Sequence, residues 1–169
     1  MIMAETKFDG NTVHTSGELP AVGDKAPAFT VVNSSLEDVT LQSFSGKRVV
    51  LNIFPSIDTG VCAAAVRKFN ELAASLNNAV VVGVSRDLPF ALDRFCAAEG
   101  IENVVTTSAF RSSFGEDYGV TQQDGPLAGL LARAIVVVEA DGTVGYTQLV
   151  PEITQEPDYD AVVDYLQAA

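Results

Sequence analysis

Arg48-Val49-Val50-Leu51-Asn52-Ile53-Phe54-Pro55-Ser56-Ile57-Asp58-Thr59-Gly60-Val61-Cys62 is the stretch on which the fold of this chain turns. From Val49 to Phe54 it is dominated by large apolar residues and carries no charge after Arg48. Such a run suits a central strand buried on both faces. Pro55 ends it, because proline cannot donate to a strand ladder. Cys62, Val66, Phe69, Ala73 and Leu76 then recur at intervals of four and three residues. That spacing marks one face of a helix and puts Cys62 near its first turn, on the packed side.

Working outward, Ala79 to Ser85 reads as a second buried strand. Asp87 is placed to cap a second helix, with Pro89 tolerated in its first turn, Cys96 in its later part and Gly100 closing it. A weaker strand follows near Val104-Val105-Thr106, and Ser108 to Leu131 reads as loop with one short helix. Ala134 to Val138 and Thr143 to Val150 flank Asp141-Gly142, a hairpin signal. Pro157 is expected to open a last helix, with Tyr159, Val162, Val163 and Leu166 on its inner face. Toward the amino terminus, Gly23 to Pro27 breaks the chain before a short strand at Phe29 to Val32. Lys7 to Val13 reads as a β-hairpin, since Asp9, Gly10 and Asn11 tolerate the positive φ of a tight turn. Parallel crossovers followed by an antiparallel pair predict an α/β fold of the thioredoxin-like kind. Its mixed central sheet is flanked by helices, with the β-hairpin added at the amino terminus.

The whole chain of 169 residues is expected to form one domain, with residues 1–17 as the hairpin extension. A formal net charge of −12 argues against nucleic acid as a partner, since cationic groups must displace counterions from phosphates. No apolar run reaches the roughly 18 residues of a membrane helix, and Met1 to Lys7 lacks a signal-peptide apolar stretch. A cytoplasmic location without membrane attachment is the expectation. Two cysteines and one histidine make a poor zinc site, so no metal and no other cofactor is expected.

Cys62 is the first candidate for chemistry. A thiol at a helix amino terminus faces unpaired N–H groups and the positive end of the helix dipole, and both favour thiolate. Thr59 is placed to offer a hydroxyl to that sulfur or to a bound oxygen. The plainer reading of Cys62 is a small core residue. Cys96, 34 positions on from Cys62, does not make a C-x-x-C pair and on its own reads as core. The two thiols can join only if their Cα atoms come within about 7 Å, and with both in helices one helix must unravel first. Arg133 precedes a very apolar strand. On position alone it reads as a solvated strand-end cation, and its functional reading is a fixed positive charge beside Cys62. His14 reads as a surface residue without an acid–base partner. The acidic side chains after Arg133 read as a solvated face.

Taken together these residues resemble the peroxiredoxin family, and more narrowly its bacterial thiol peroxidase branch. Pro55, Thr59 and Cys62 match the family's proline–hydroxyl–cysteine signature within Asn52-Ile53-Phe54-Pro55-Ser56-Ile57-Asp58-Thr59-Gly60-Val61-Cys62. Val22-Gly23-Asp24-Lys25-Ala26-Pro27-Ala28-Phe29, Phe95-Cys96, Ala132-Arg133-Ala134, Asp124-Gly125-Pro126-Leu127 and Glu152-Ile153-Thr154 are further matches. The resemblance runs from about Phe8 to Leu166. It implies that Cys62 attacks a hydroperoxide and becomes a sulfenic acid, and that Cys96 resolves it as a Cys62–Cys96 disulfide. Thioredoxin is the implied reductant and a homodimer the implied assembly. Pro55 is implied to shield the thiolate, while Thr59 and Arg133 are implied to stabilise the peroxide oxygens. The branch tends toward organic hydroperoxides, and Phe54, Ile57 and Leu127 are candidates for an apolar rim. Many peroxiredoxins carry a glutamate three residues after the reactive cysteine, where this chain has Ala65, which leaves open what orients Arg133. The absence of tryptophan counts against the glutathione-peroxidase relatives. Two other readings stay in play: an inert thioredoxin-like binding domain, and a disulfide oxidoreductase, against which the missing C-x-x-C weighs.

Overall fold

The apolar run around Val50 forms an interior strand of a seven-stranded sheet in the computed structural model, which describes residues 3–76 and 78–168. Met1 and Ile2, part of the amino-terminal segment read above, lie outside the described residues. The elements run β1 (Glu5–Phe8), β2 (Asn11–His14), β3 (Val31–Asn33), β4 (Asp38–Val39), β5 (Arg48–Ile53), α1 (Gly60–Ala73), β6 (Ala79–Ser85), α2 (Pro89–Glu99), β7 (Val104–Ser108), α3 (Phe114–Asp117), β8 (Ala134–Val138), β9 (Val144–Leu149) and α4 (Tyr159–Ala168). The sheet order is β4-β3-β7-β6-β5-β8-β9, and β1 and β2 pair separately as an antiparallel hairpin. β5 is parallel to β6, and β6 to β7, through the crossovers made by α1 and α2. β8 then lies antiparallel to β5, and β9 to β8, as the Asp141-Gly142 turn dictates. The expected mixed sheet flanked by helices, with a hairpin ahead of it, is what forms.

Alternation along β5 divides the core. Val49, Leu51 and Ile53 join Phe29, Val82, Val136, Phe114 and Tyr118 on one face. Val50 joins Val81, Ile135 and Val137 on the other, under Phe69 of α1 and Val162 and Leu166 of α4. A fully buried side chain such as Phe69 contributes about 1.5–3 kcal/mol of transfer free energy. α1 thereby lies antiparallel along β5, and its first turn comes to rest at the carboxyl end of that strand, beside Phe54.

Several local expectations shift. The first sheet strand begins at Val31 rather than Phe29, and it pairs with the short β4, which the sequence pattern did not reveal. Leu76 lies beyond the end of α1, yet still packs against the α1–α4 face. α4 starts at Tyr159, after Pro157, and the Asp158 carboxylate accepts the Ala161 N–H. Asp87 does not cap α2. The capping position is Leu88, whose side chain cannot accept a hydrogen bond. Gly100 does close α2, in the left-handed region at φ 66°.

Candidate active site

The segment between β5 and α1 is fixed by Asp87, across the carboxyl end of the sheet. One Asp87 oxygen accepts the Ser56 hydroxyl at 2.7 Å. The other accepts the Ile57 N–H at 2.8 Å and the Ser85 hydroxyl at 2.7 Å. The Asp87 carbonyl accepts from Ser108 Oγ. Both oxygens thus face the β5–α1 turn and Ser85 rather than α2, whose first turn begins one residue later, after Leu88. The sequence singles out Asp87 only as a helix cap, and its hold on the β5–α1 turn is a tertiary contact.

Thr59 is the residue before α1. Its hydroxyl donates to the Ser56 carbonyl at 3.0 Å, closing the turn, and it neither caps the helix nor bonds to sulfur. The side chain is exposed, so the expected hydroxyl contact with Cys62 is not made in this geometry. Pro55 is buried behind the turn. Cys62 is fully buried, packed with Phe54, Ile57, Val66 and Leu92. Phe54 and Ile57 are therefore core under the thiol and not an apolar rim, whereas Leu127 is half-buried.

Arg133 is not a solvated cation. It is 1% exposed, and its Nη2 donates to Cys62 Sγ at 3.2 Å. Its Nε donates to the Ile153 carbonyl at 2.9 Å, while Nη1 is buried with no partner among the described residues. No carboxylate forms an ion pair with it among those residues. The oriented group that Ala65 cannot supply is thus a backbone carbonyl. Ile153 is a contact that no side-chain pattern could have revealed. Asn52 is fully buried in the middle of β5, and its side-chain amide has no partner among the described residues.

Cys96 is in a different setting. It is half-buried on α2 and faces β7, where its sulfur lies 3.4 Å from the Thr106 hydroxyl. Burial pushes its thiol pKa up, with Thr106 opposing and Asp93 adding to the rise. It lines a groove with Asn33, Ser34, Asp93 and Thr106. Both cysteines are free thiols, and the structure does not bring them together. His14, expected to lack partners, has its Nδ1 2.7 Å from Asp124 and its Nε2 3.4 Å from Glu5, and these carboxylates raise its pKa.

No described group of His, Cys, Asp or Glu side chains has the makings of a metal site, and no described helix is long and apolar enough to cross a membrane. A buried thiol held by a buried guanidinium that keeps one N–H-bearing nitrogen free can bind and polarise a small oxygen-bearing electrophile. Known proteins point the same way. The sequence profile of the Redoxin family matches residues 21–163. A thiol peroxidase of Corynebacterium glutamicum is 61% identical over 95% of this chain and 98% of its own length. One of Mycobacterium bovis is 61% identical over 98% of this chain and all of its own. The crystal structure of a peroxiredoxin-like protein from Aquifex aeolicus superposes with a TM-score of 0.93, at 41% identity over 99% of both chains. On a profile that spans most of its length and relatives aligned nearly end to end, the chain belongs to the Redoxin family and, within it, to the thiol peroxidases.

Proposed function

We propose that this chain reduces hydroperoxides at Cys62 and passes the oxidation to Cys96. The observation that carries the reading is the buried Arg133 guanidinium donating to the buried Cys62 sulfur, with no carboxylate ion-paired to it among the described residues. A buried cation without a counter-charge is costly, and a thiolate at Cys62 is the anion within reach. Cys62 sulfur attacks the distal peroxide oxygen, the O–O bond breaks, and the leaving oxygen takes a proton to depart as water or an alcohol. Arg133 Nη1, free for a peroxide oxygen, stabilises the charge that builds there. Thr59 joins it if its hydroxyl turns from the Ser56 carbonyl, and Pro55 helps to keep bulk water from the sulfur.

The product is a Cys62 sulfenic acid. Attack by the Cys96 thiolate releases water and leaves a Cys62–Cys96 disulfide, for which the Cys96 part of α2 must unwind from β7. An external dithiol, with thioredoxin as the implied donor, takes up the disulfide and restores both thiols. Leu88, Phe90 and Phe110 are exposed near the Asp87 junction, and an apolar surface there suits a homodimer. A cytoplasmic location fits thiols that must be kept reducible.

The test is mass spectrometry of the fully reduced protein seconds after one equivalent of cumene hydroperoxide. Loss of two hydrogens, mapped to a Cys62–Cys96 link, is the expected result. Two thiols left reduced in folded protein would return the chain to the inert binding-domain reading.

A further inference from the structure

Arg133 owes its direction to the Ile153 carbonyl, and Ile153 belongs to no strand or helix. It lies in a strap, residues 150–154, that crosses from the end of β9. The strap is held at one end by Val150 N–H donating to the Arg133 carbonyl at 3.0 Å. Besides that bond and the one Arg133 itself makes to Ile153, most of the hydrogen bonds that reach it among the described residues come from the amino-terminal hairpin or from the strap itself. The Thr6 hydroxyl donates to the Val150 carbonyl at 2.8 Å. Lys7 N–H donates to the Pro151 carbonyl at 2.9 Å, and Ile153 N–H donates to the Lys7 carbonyl at 2.7 Å. β1 thus lays a short parallel ladder along the strap, one peptide away from the oxygen that Arg133 uses.

The hairpin tip makes the second hold. Asp9 and Gly10 both have positive φ, 51° and 83°, as a tight hairpin turn requires. Their N–H groups then point the same way and form a small anion nest. Glu152 fills it: Oε2 accepts from Asp9 N–H at 3.0 Å and Oε1 from Gly10 N–H at 2.8 Å. Oε2 also accepts the Thr154 N–H at 3.0 Å and the Thr154 hydroxyl at 2.8 Å, so the carboxylate braces both sides of Ile153.

We propose that Glu152 is a positioning residue for the peroxide reaction, fastening the hairpin tip to the strap so that the Ile153 carbonyl holds Arg133 against Cys62. The hairpin is then part of the active site's support and not an appendage. The inference rests on the reading of Cys62 and Arg133 as the reacting pair. Glu152 itself touches neither the sulfur nor the guanidinium.

The test is a double-mutant cycle on the second-order rate of cumene hydroperoxide reduction, measured over a single turnover. Glu152→Ala should lower that rate about tenfold to a hundredfold, the scale of a misplaced reacting group. In the Arg133→Ala background the same substitution should cost little more, because the group it positions is gone. Equal losses in both backgrounds would mean general destabilisation and would overturn the proposal, as would a parental rate in folded Glu152→Ala. If Glu152→Ala does not fold, Glu152→Gln keeps the shape and one acceptor oxygen. It should give an intermediate rate, and the same additivity criterion applies. The thiolate ultraviolet absorbance against pH, in Cys96→Ser protein, separates the two readings. If the parent chain leaves peroxide untouched, the peroxidase reading fails by itself. A thiolate midpoint that moves upward with Glu152→Ala only while Arg133 is present would still uphold the proposal, and an unmoved midpoint would overturn it.

Discussion

The surroundings of the two cysteines differ in almost every physical respect. Cys62 is fully buried at the start of a helix whose entry is fastened by Asp87, and an equally buried arginine holds its sulfur. Cys96 is half-buried, bordering a groove, with one hydroxyl as its polar partner, in the later part of its helix. Only Pro89 and Leu92 of α2 are fully buried, against five residues of α1. A site that must stabilise charge in a transition state needs groups that do not rearrange. A thiol that must travel needs a segment with a low cost of local unfolding, and few buried contacts supply that. The contrast teaches that one fold can hold a tightly fixed thiol and a loosely held one side by side, on consecutive helices, as the proposed division of labour requires.

The contrast is open to attack from both sides. Cys62→Ser should abolish peroxide consumption, read by a colorimetric peroxide assay, and any residual reaction would move the nucleophile elsewhere. Cys96→Ser should consume about one equivalent of peroxide and then stop in the presence of thioredoxin, since the sulfenic acid has no resolving thiol. Full turnover of that variant would remove the need for α2 to open. Arg133→Ala should slow the first oxidation by about a hundredfold or more, on the scale of losing one preorganised donor. Stopped-flow kinetics would read it, and an unchanged rate would show that burial alone sets up the thiol.

A smaller effect is expected at the seam between the helices. Arg67 of α1 donates to Glu99 of α2 and lies 5.7 Å over the Phe95 ring, on either side of Cys96 in sequence. These are exposed contacts and each contributes little. Arg67→Ala should therefore speed disulfide formation by a few-fold, as measured by quenched alkylation. Amide exchange around Cys96 should rise in the same variant while that around Cys62 stays put.

The smallest effect is a pH response. The Glu152 carboxyl is held down to about 2, mainly by the Thr154 and Gly10 N–H groups that it accepts, from an ordinary value of 4.5. Its folded value lies below its unfolded one, so its contribution is whole above about 4.5 and is lost as pH falls toward 2. Amide exchange at Asp9 and Gly10 should rise across that acid window before the sheet itself opens.

Much of this was legible in the sequence because it depends on periodicity. The buried run at β5, the helix face through Cys62 and the Asp141-Gly142 turn each carry their own pattern, and these are enough to order the central sheet. The parts that escaped are those made by tertiary contact. Arg133 sits where a solvated strand-end cation would, yet it is buried, with its Nε on the Ile153 carbonyl of the strap. Asp87 has the chemistry of a helix cap and is drawn away by Ser56, Ile57 and Ser85. The Ile153 carbonyl is backbone and has no side-chain signature. Thr59 has a hydroxyl within a few residues of Cys62, but that hydroxyl closes its own turn.

The strap that orients Arg133 also has a consequence for the order in which the chain is made. Arg133 lies 71 residues after Cys62, and the Thr6–Val150 contact spans 144 residues. At synthesis rates of about 5–20 residues per second, Arg133 joins the growing chain about 4–14 seconds after Cys62. The hairpin waits longer still for Val150 to Thr154. Until both ends of the chain meet, the Ile153 carbonyl that Arg133 uses lacks the brace given by β1 and the hairpin tip, so the support of Cys62 and Arg133 is among the last long-range contacts to form.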